Sequence, residues 1–225
     1  LRKRTRFKDN FDNSSWSLSD GQSTDDWNCN YKSNGTADVR NASGGRTGKV
    51  HYQKPEYVSG QTRAVFVRNK VQYYNFECVF DMRTVAHNRT PTPNNWETAW
   101  CIFRYTDDWH HYYMLIQRDG GLEVGRKDYA TQIEEQIFLV TNGNTAPSFV
   151  LGQWYNVRIR CVGNAIKIWV DGVLQCDIVD DGTFGTDSNT GTTPAAPSSA
   201  MYGGYIGFYN EDAETEYDNF AIRAL

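Results

Sequence analysis

Residues 100–129, WCIFRYTDDWHHYYMLIQRDGGLEVGRKDY, decide the fold. Runs of aromatic and branched residues at 100–105, 111–118 and 122–127 are separated by two polar turns, Thr106–His110 and Asp119-Gly120-Gly121. Such side chains suit a pleated surface and Asp and Gly suit the turns between, so the stretch predicts an antiparallel meander of three strands. Successive side chains alternate across a strand. Cys101, Phe103 and Tyr105 therefore share one face and Trp100, Ile102 and Arg104 the other, while Tyr112, Met114 and Ile116 oppose Tyr113, Leu115 and Gln117. The first set of each strand makes the better core. The second leaves Trp100, Arg104, Tyr113 and Gln117 as rings and hydrogen-bonding heads on a shared surface.

The flanking sequence repeats the pattern. In YYNFECVFDMR (73–83), Tyr74, Phe76, Cys78, Phe80 and Met82 form an apolar face against Tyr73, Asn75, Glu77, Val79, Asp81 and Arg83, as expected of a strand with core on one side only. WYNVRIRCV (154–162) turns at Gly163-Asn164 into AIKIWV, which ends at Asp171-Gly172; this is the clearest hairpin in the chain. VLQCDIV, GYIGFYN and TEYDNFAIRA add further strands, and residues 9–50 read as short strands and loops anchored by Trp16, Trp27 and Tyr31. QIEEQIFLV (132–140) fits either a strand or a short helix, and long loops are expected at 84–98 and 181–203. About a dozen strands and no helical period predict one all-β domain over residues 1–225, an antiparallel two-sheet β-sandwich or jelly roll.

At 225 residues and 39% hydrophobic content the chain can bury one large core. A net charge of -4 argues against nucleic acid or an anionic membrane recognised by bulk charge, and the basic start, Leu1–Lys8, reads as a frayed arm. No apolar run approaches the roughly 20 residues of a membrane helix, so membrane insertion is not expected. The missing initiator Met fits a mature secreted or cell-surface protein, or an excised domain. Five cysteines without C-x-x-C spacing give no zinc or thioredoxin signature; Cys78, Cys101 and Cys161 suit buried strand positions, and disulfide pairing stays open.

Three runs, IFRYTDDWHHYYMLIQRDGGLEVGRK, GQWYNVRIRCVGNAIKIWVDG and GYIGFYN followed by EYDNFAI, together spanning about residues 76–223, resemble the laminin-G-like, concanavalin A-like jelly rolls. That family holds carbohydrate-binding modules and sugar-active enzymes. The resemblance implies a polysaccharide or glycan partner and leaves the choice between binding and catalysis open. It also implies a structural calcium tying the first strand to the last, for which Asp9, Asp12 and Asp218 are the candidate ligands, calcium preferring hard oxygens. No organic cofactor is expected.

Sugars are held by flat aromatic faces and by planar side chains that make paired hydrogen bonds to hydroxyls. If the strands at 73–83, 100–105 and 111–118 are neighbours in the concave sheet, Glu77, Asp81, Trp100, Arg104, Tyr113 and Gln117 converge in a groove. The turn Asp107–His111 would border it. The alternative for Glu77 and Asp81 is a solvated face paired with Arg83 or Arg104, worth little to stability. As catalytic carboxylates, Glu77 and Asp81 stand about 13 Å apart at Cα by strand rise, wide for a glycosidase pair. A polysaccharide lyase would use Arg104 to neutralise a uronate and Tyr113 or His110 to move protons. The readings are thus a glycan-binding module, a lyase or hydrolase in the same groove, or a structural or adhesion domain.

Overall fold

The computed structural model describes residues 6–128, 136–141, 146–188 and 190–225. These residues form sixteen strands: β1 (Arg6–Asp9), β2 (Trp27–Tyr31), β3 (Thr36–Asn41), β4 (Lys49–Lys54), β5 (Ala64–Asn69), β6 (Phe76–His87), β7 (Ala99–Asp107), β8 (His110–Ile116), β9 (Leu122–Asp128), β10 (Ile137–Thr141), β11 (Tyr155–Val162), β12 (Ala165–Val170), β13 (Val173–Val179), β14 (Thr186–Asp187), β15 (Tyr205–Glu211) and β16 (Ala213–Ala224). One sheet runs β13-β12-β11-β6-β16-β4-β3, with β1 added on β16; the other runs β14-β10-β9-β8-β7-β15-β5-β2. We call them the β6 sheet and the β8 sheet. Their pairings are antiparallel, and the two stack as a sandwich, the architecture the sequence predicts.

The meander of β7, β8 and β9 forms in the expected register, with Trp100 opposite Leu115 and Tyr113 opposite Gly125. The β11–β12 hairpin alternates buried and outward residues along both strands. Asp171 and Gly172 carry φ of 50° and 80°, the doubly positive pair that a two-residue hairpin turn requires. Phe76, Cys78, Phe80 and Met82 of β6 face Cys101, Phe103, Tyr112 and Met114 of the β8 sheet across the core. Phe208 anchors this interior, stacked 4.1 Å from Tyr217 and packed against Trp27, Phe80 and Phe220.

Several expectations are corrected. Arg104 has φ 53° and lies in a register shift between Phe103 and Asp107, so the alternation slips by one: Arg104 turns inward and Tyr105 joins the outer face, the reverse of the simple pattern. The basic start is no frayed arm from Arg6 onward, because β1 pairs with β16 and buries Phe7 against Trp27 and Phe220. β6 begins at Phe76, which leaves Tyr74 exposed. The 132–140 patch resolves to strand β10 from Ile137, its residues 132–135 lying outside the described ones. The 181–203 loop holds the short β14 and a 3-10 turn at Ser199–Tyr202. All five cysteines are buried free thiols. No described helix is long and apolar enough to cross a membrane.

Candidate functional site

The six candidate sugar-contacting residues do not share one face. β6 belongs to the sheet opposite β7 and β8, because its long-range partners are β11 and β16. Glu77 and Asp81 therefore point out of the β6 sheet, and Arg104 is spent in the interior, donating to the carbonyls of Tyr74 at 3.2 Å and Gly163 at 2.6 Å. Trp100, Tyr113 and Gln117 remain together on the β8 sheet.

On the β6 sheet the outward charges close on one another. Glu77 pairs with Arg223 at 2.8 Å. Arg46 reaches Asp81 at 2.6 Å and Asp218 at 3.1 Å while stacking 3.9 Å over Trp154; Arg83, on the same ring at 4.9 Å, pairs with Glu216 at 2.5 Å, both almost fully buried. Burial pushes Asp81 up, but hydrogen bonds from Asn156, Asn219 and Arg46 outweigh it and hold the carboxyl low. Asp218, with burial dominant and Asp81 and Asp12 nearby, is raised to about 6.

That arrangement bears on the candidate calcium ligands. Asp9 accepts from the Phe11 amide at 2.7 Å and from Trp27 Nε1 at 2.8 Å; Asp12 accepts from the Lys49 amide at 2.9 Å and from Asn10 at 2.8 Å. Asp218 is engaged by Arg46 and by the Asn219 amide. Among the described residues no three acidic, His or Cys side chains are grouped to hold a metal ion. Asp9 instead lines an open polar cleft of about 660 Å³ with Asn10, Asn13, Asp26 and Asn219, where the one ring, Phe220, is only 1% exposed.

The outer face of the β8 sheet is different in kind. Phe66, Trp100, Ile102, Tyr105, Tyr113 and Leu115 form a second apolar cluster there, with Tyr31, Tyr205 and Tyr209 packed against it. Gly125 makes room for it: a Cβ at that position would stand 2.3 Å from the Tyr113 hydroxyl and 2.4 Å from its ring. A recess of about 60 Å³ opens over Trp100, Ile102 and Tyr113 and is walled by Tyr31, Asp108, His111, Lys127, Gln136, Tyr209 and Glu211. Such a volume admits water-sized groups, so a larger ligand would rest on the rim with one substituent inserted.

Hydrogen bonds set this rim. Tyr105 donates to Asp108 at 2.9 Å and accepts from Asn30 at 3.0 Å; Tyr209 donates to Glu211 at 2.5 Å. Burial raises the Tyr31 hydroxyl, and the Asp108 and Glu211 carboxylates raise it further. His111 is lowered to about 4 by burial, so the ring is neutral at physiological pH. Its Nδ1 lies 3.2 Å from the Asp107 carbonyl, which places the proton on Nδ1 and leaves Nε2 basic. Beside the recess, Glu123 is raised by burial against hydrogen bonds from Tyr113 and Gln117, the latter at 2.6 Å. Of the residues expected from sequence, Trp100, Tyr113 and, from the Asp107–His111 turn, Asp108 and His111 line this recess, with Gln117 beside it; Tyr31, Lys127, Gln136, Tyr209 and Glu211 line it without having been expected. Alternation along GYIGFYNE was the available signal for Tyr209 and Glu211; nothing local marks Tyr31.

A two-sheet jelly roll of this kind is the fold of carbohydrate-binding modules and glycosyl-hydrolase-like proteins. The chain belongs to the 3-keto-alpha-glucoside-1,2-lyase-like domain family, matched over residues 15–223. Its fold is similar to that of carbohydrate-binding module CBM66 from Bacillus subtilis (14% identity, TM-score 0.55, covering 88% of this chain and 95% of that one). It is equally similar to a structure described with the endo-acting O-glycanases that prominent members of the human gut microbiota express to initiate mucin breakdown (12% identity, TM-score 0.55, covering 97% and 98%). Among curated proteins none matches the sequence.

Proposed function

We propose that this chain is a glycan-binding domain of a secreted or cell-surface protein and that it meets its ligand on the outer face of the β8 sheet. One observation carries this: on the outer face of the β8 sheet, aromatic rings and polar heads converge around a recess, the pairing of surfaces that sugars need. The β6 sheet, by contrast, satisfies its outward charges internally. Family membership and the two similar folds support a carbohydrate ligand.

A second reading is favoured by the family and by His111. In a 3-keto glucoside the C3 ketone acidifies the C2 hydrogen; a base removes it, the electrons form the C1–C2 double bond, and the C1–O bond breaks as the leaving oxygen takes a proton. His111 lines the recess as a neutral imidazole to take the C2 proton, and Tyr31, on the same recess, carries a hydroxyl to protonate the leaving oxygen.

The test is to pass the protein over a panel of polysaccharides, measuring retention, and to incubate it with 3-keto glucosides, measuring the unsaturated product. Retention without product is the expected result. Product that disappears in His111→Gln establishes the enzyme instead, and neither signal returns the domain to a structural or adhesive role.

A further inference from the structure

Resting on the proposed β8-sheet site, we infer that its ligand carries an N-acetylated amino sugar, whose acetamido group fills the recess. At about 60 Å³ the recess is too small for a sugar ring and takes a single substituent. Its floor and its walls place different demands on that substituent.

The floor is apolar. The hydroxyl end of Tyr113 lies over Gly125, where a Cβ would meet it at 2.3 Å, and the Trp100 ring stands 5.2 Å from the Tyr113 ring at an interplanar angle of 33°, with Ile102 completing the bottom. Phe66 and Leu115 pack into the same cluster. The polar atoms of the two floor rings are engaged: Trp100 Nε1 donates to the Trp96 carbonyl at 2.6 Å, and the Tyr113 hydroxyl hydrogen-bonds to Glu123. A hydroxyl or carboxylate pressed onto this floor gives up water against apolar surface, which costs free energy, whereas a methyl group gains there.

The walls are polar. Asp108 accepts from the Tyr105 hydroxyl at 2.9 Å, and a carboxylate has about four acceptor sites, so it can take a further donor. Lys127 brings an ammonium, which only donates. An acetamido group carries the complement of each surface: a methyl for the floor, an N–H for a carboxylate and a carbonyl oxygen for an ammonium. A hydroxymethyl group answers the walls and not the floor. The methyl of a 6-deoxy sugar answers the floor and not the walls.

The experiment compares sugars that differ in one substituent. Glucose, galactose and mannose are displayed as α- and β-glycosides on a neutral polymer, each beside its 2-acetamido-2-deoxy counterpart and its 6-deoxy counterpart, and binding of the whole protein is measured by interferometry. At least one acetamido sugar should bind about tenfold or more tighter than both its hydroxyl and its 6-deoxy counterparts. In Ile102→Phe, whose larger ring fills the recess, that ratio should fall toward one; Lys127→Met, at a half-buried side chain on the wall, should lower it too and tests the same point if the first variant does not fold. Equal or tighter binding of the hydroxyl or 6-deoxy member in every set overturns the acetamido inference and leaves the β8-sheet site standing, as does a preference undiminished in both variants. Binding to none of the conjugates defeats the glycan reading and this inference with it.

Discussion

The two outer faces of the sandwich carry similar residues and use them in opposite ways. The β6 sheet presents Glu77, Asp81, Arg83, Glu216 and Asp218, and nearly every charge meets its opposite: Arg46 spans Asp81 and Asp218, Arg83 meets Glu216, and Trp154 is covered by both guanidiniums. The β8 sheet presents Asp108, Glu211, Lys127 and a floor of rings with a recess left open among them. Charge and aromatic content alone do not mark a site. What separates the faces is that one closes its charges into ion pairs beneath a covered ring, while the other gathers rings and polar heads around a recess.

The contrast can be broken most severely at Arg83. Arg83→Met leaves Glu216 buried without its partner and should cost about 3–5 kcal/mol in urea unfolding, while the folded fraction keeps its glycan retention. Gly125→Val on the other face should cost less, about 1–3 kcal/mol, by forcing Tyr113 off its seat, yet abolish retention.

Acid sharpens the comparison further. His51 in the core and His111 at the recess are held neutral by burial, at about 3 and about 4, so below about pH 6.5 the unfolded chain takes up protons that the folded chain refuses. Their stabilisation is present above that pH and lost as it falls. Asp218, raised to about 6, works the other way, gaining a proton in the folded state first. Over these three groups the balance near pH 5 is about one proton, or about 1.4 kcal/mol lost per pH unit, and the slope of thermal melts across pH 7 to 4 should flatten in His51→Gln relative to the parent protein. The smallest effect belongs to Glu77→Ala: its partner Arg223 is half exposed, so stability should shift by less than about 1 kcal/mol and retention not at all.

Much of the fold was legible because it is written in local alternation. The β7–β9 meander and the β11–β12 hairpin each carry their own turn residues and their own two-faced pattern, and both form as read. The site was half legible. Trp100, Tyr113 and Gln117 follow from the parity of two adjacent strands, but a single positive φ at Arg104 reverses the parity beyond it, and no local residue preference announces such a bulge. Glu77 and Asp81 were placed on the correct face of their strand and in the wrong sheet, since β6 is chosen by β11 and β16, strands some 80 and 140 residues away in sequence. Tyr31 reaches the recess for the same reason, through the pairing of β2 with β5 at the sheet edge.

The most direct test sets one ring from each face side by side. Tyr31 is a half-buried wall of the β8-sheet recess, and Trp169 is a half-buried ring on the β6 sheet with Arg158 stacked 3.7 Å over it. Affinity electrophoresis of Tyr31→Ala and Trp169→Ala against the polymer that retains the parent protein should show retention lost in the first and unchanged in the second, with both variants melting as folded proteins. Retention that survives Tyr31→Ala and vanishes in Trp169→Ala would place the glycan on the β6 sheet and contradict the account.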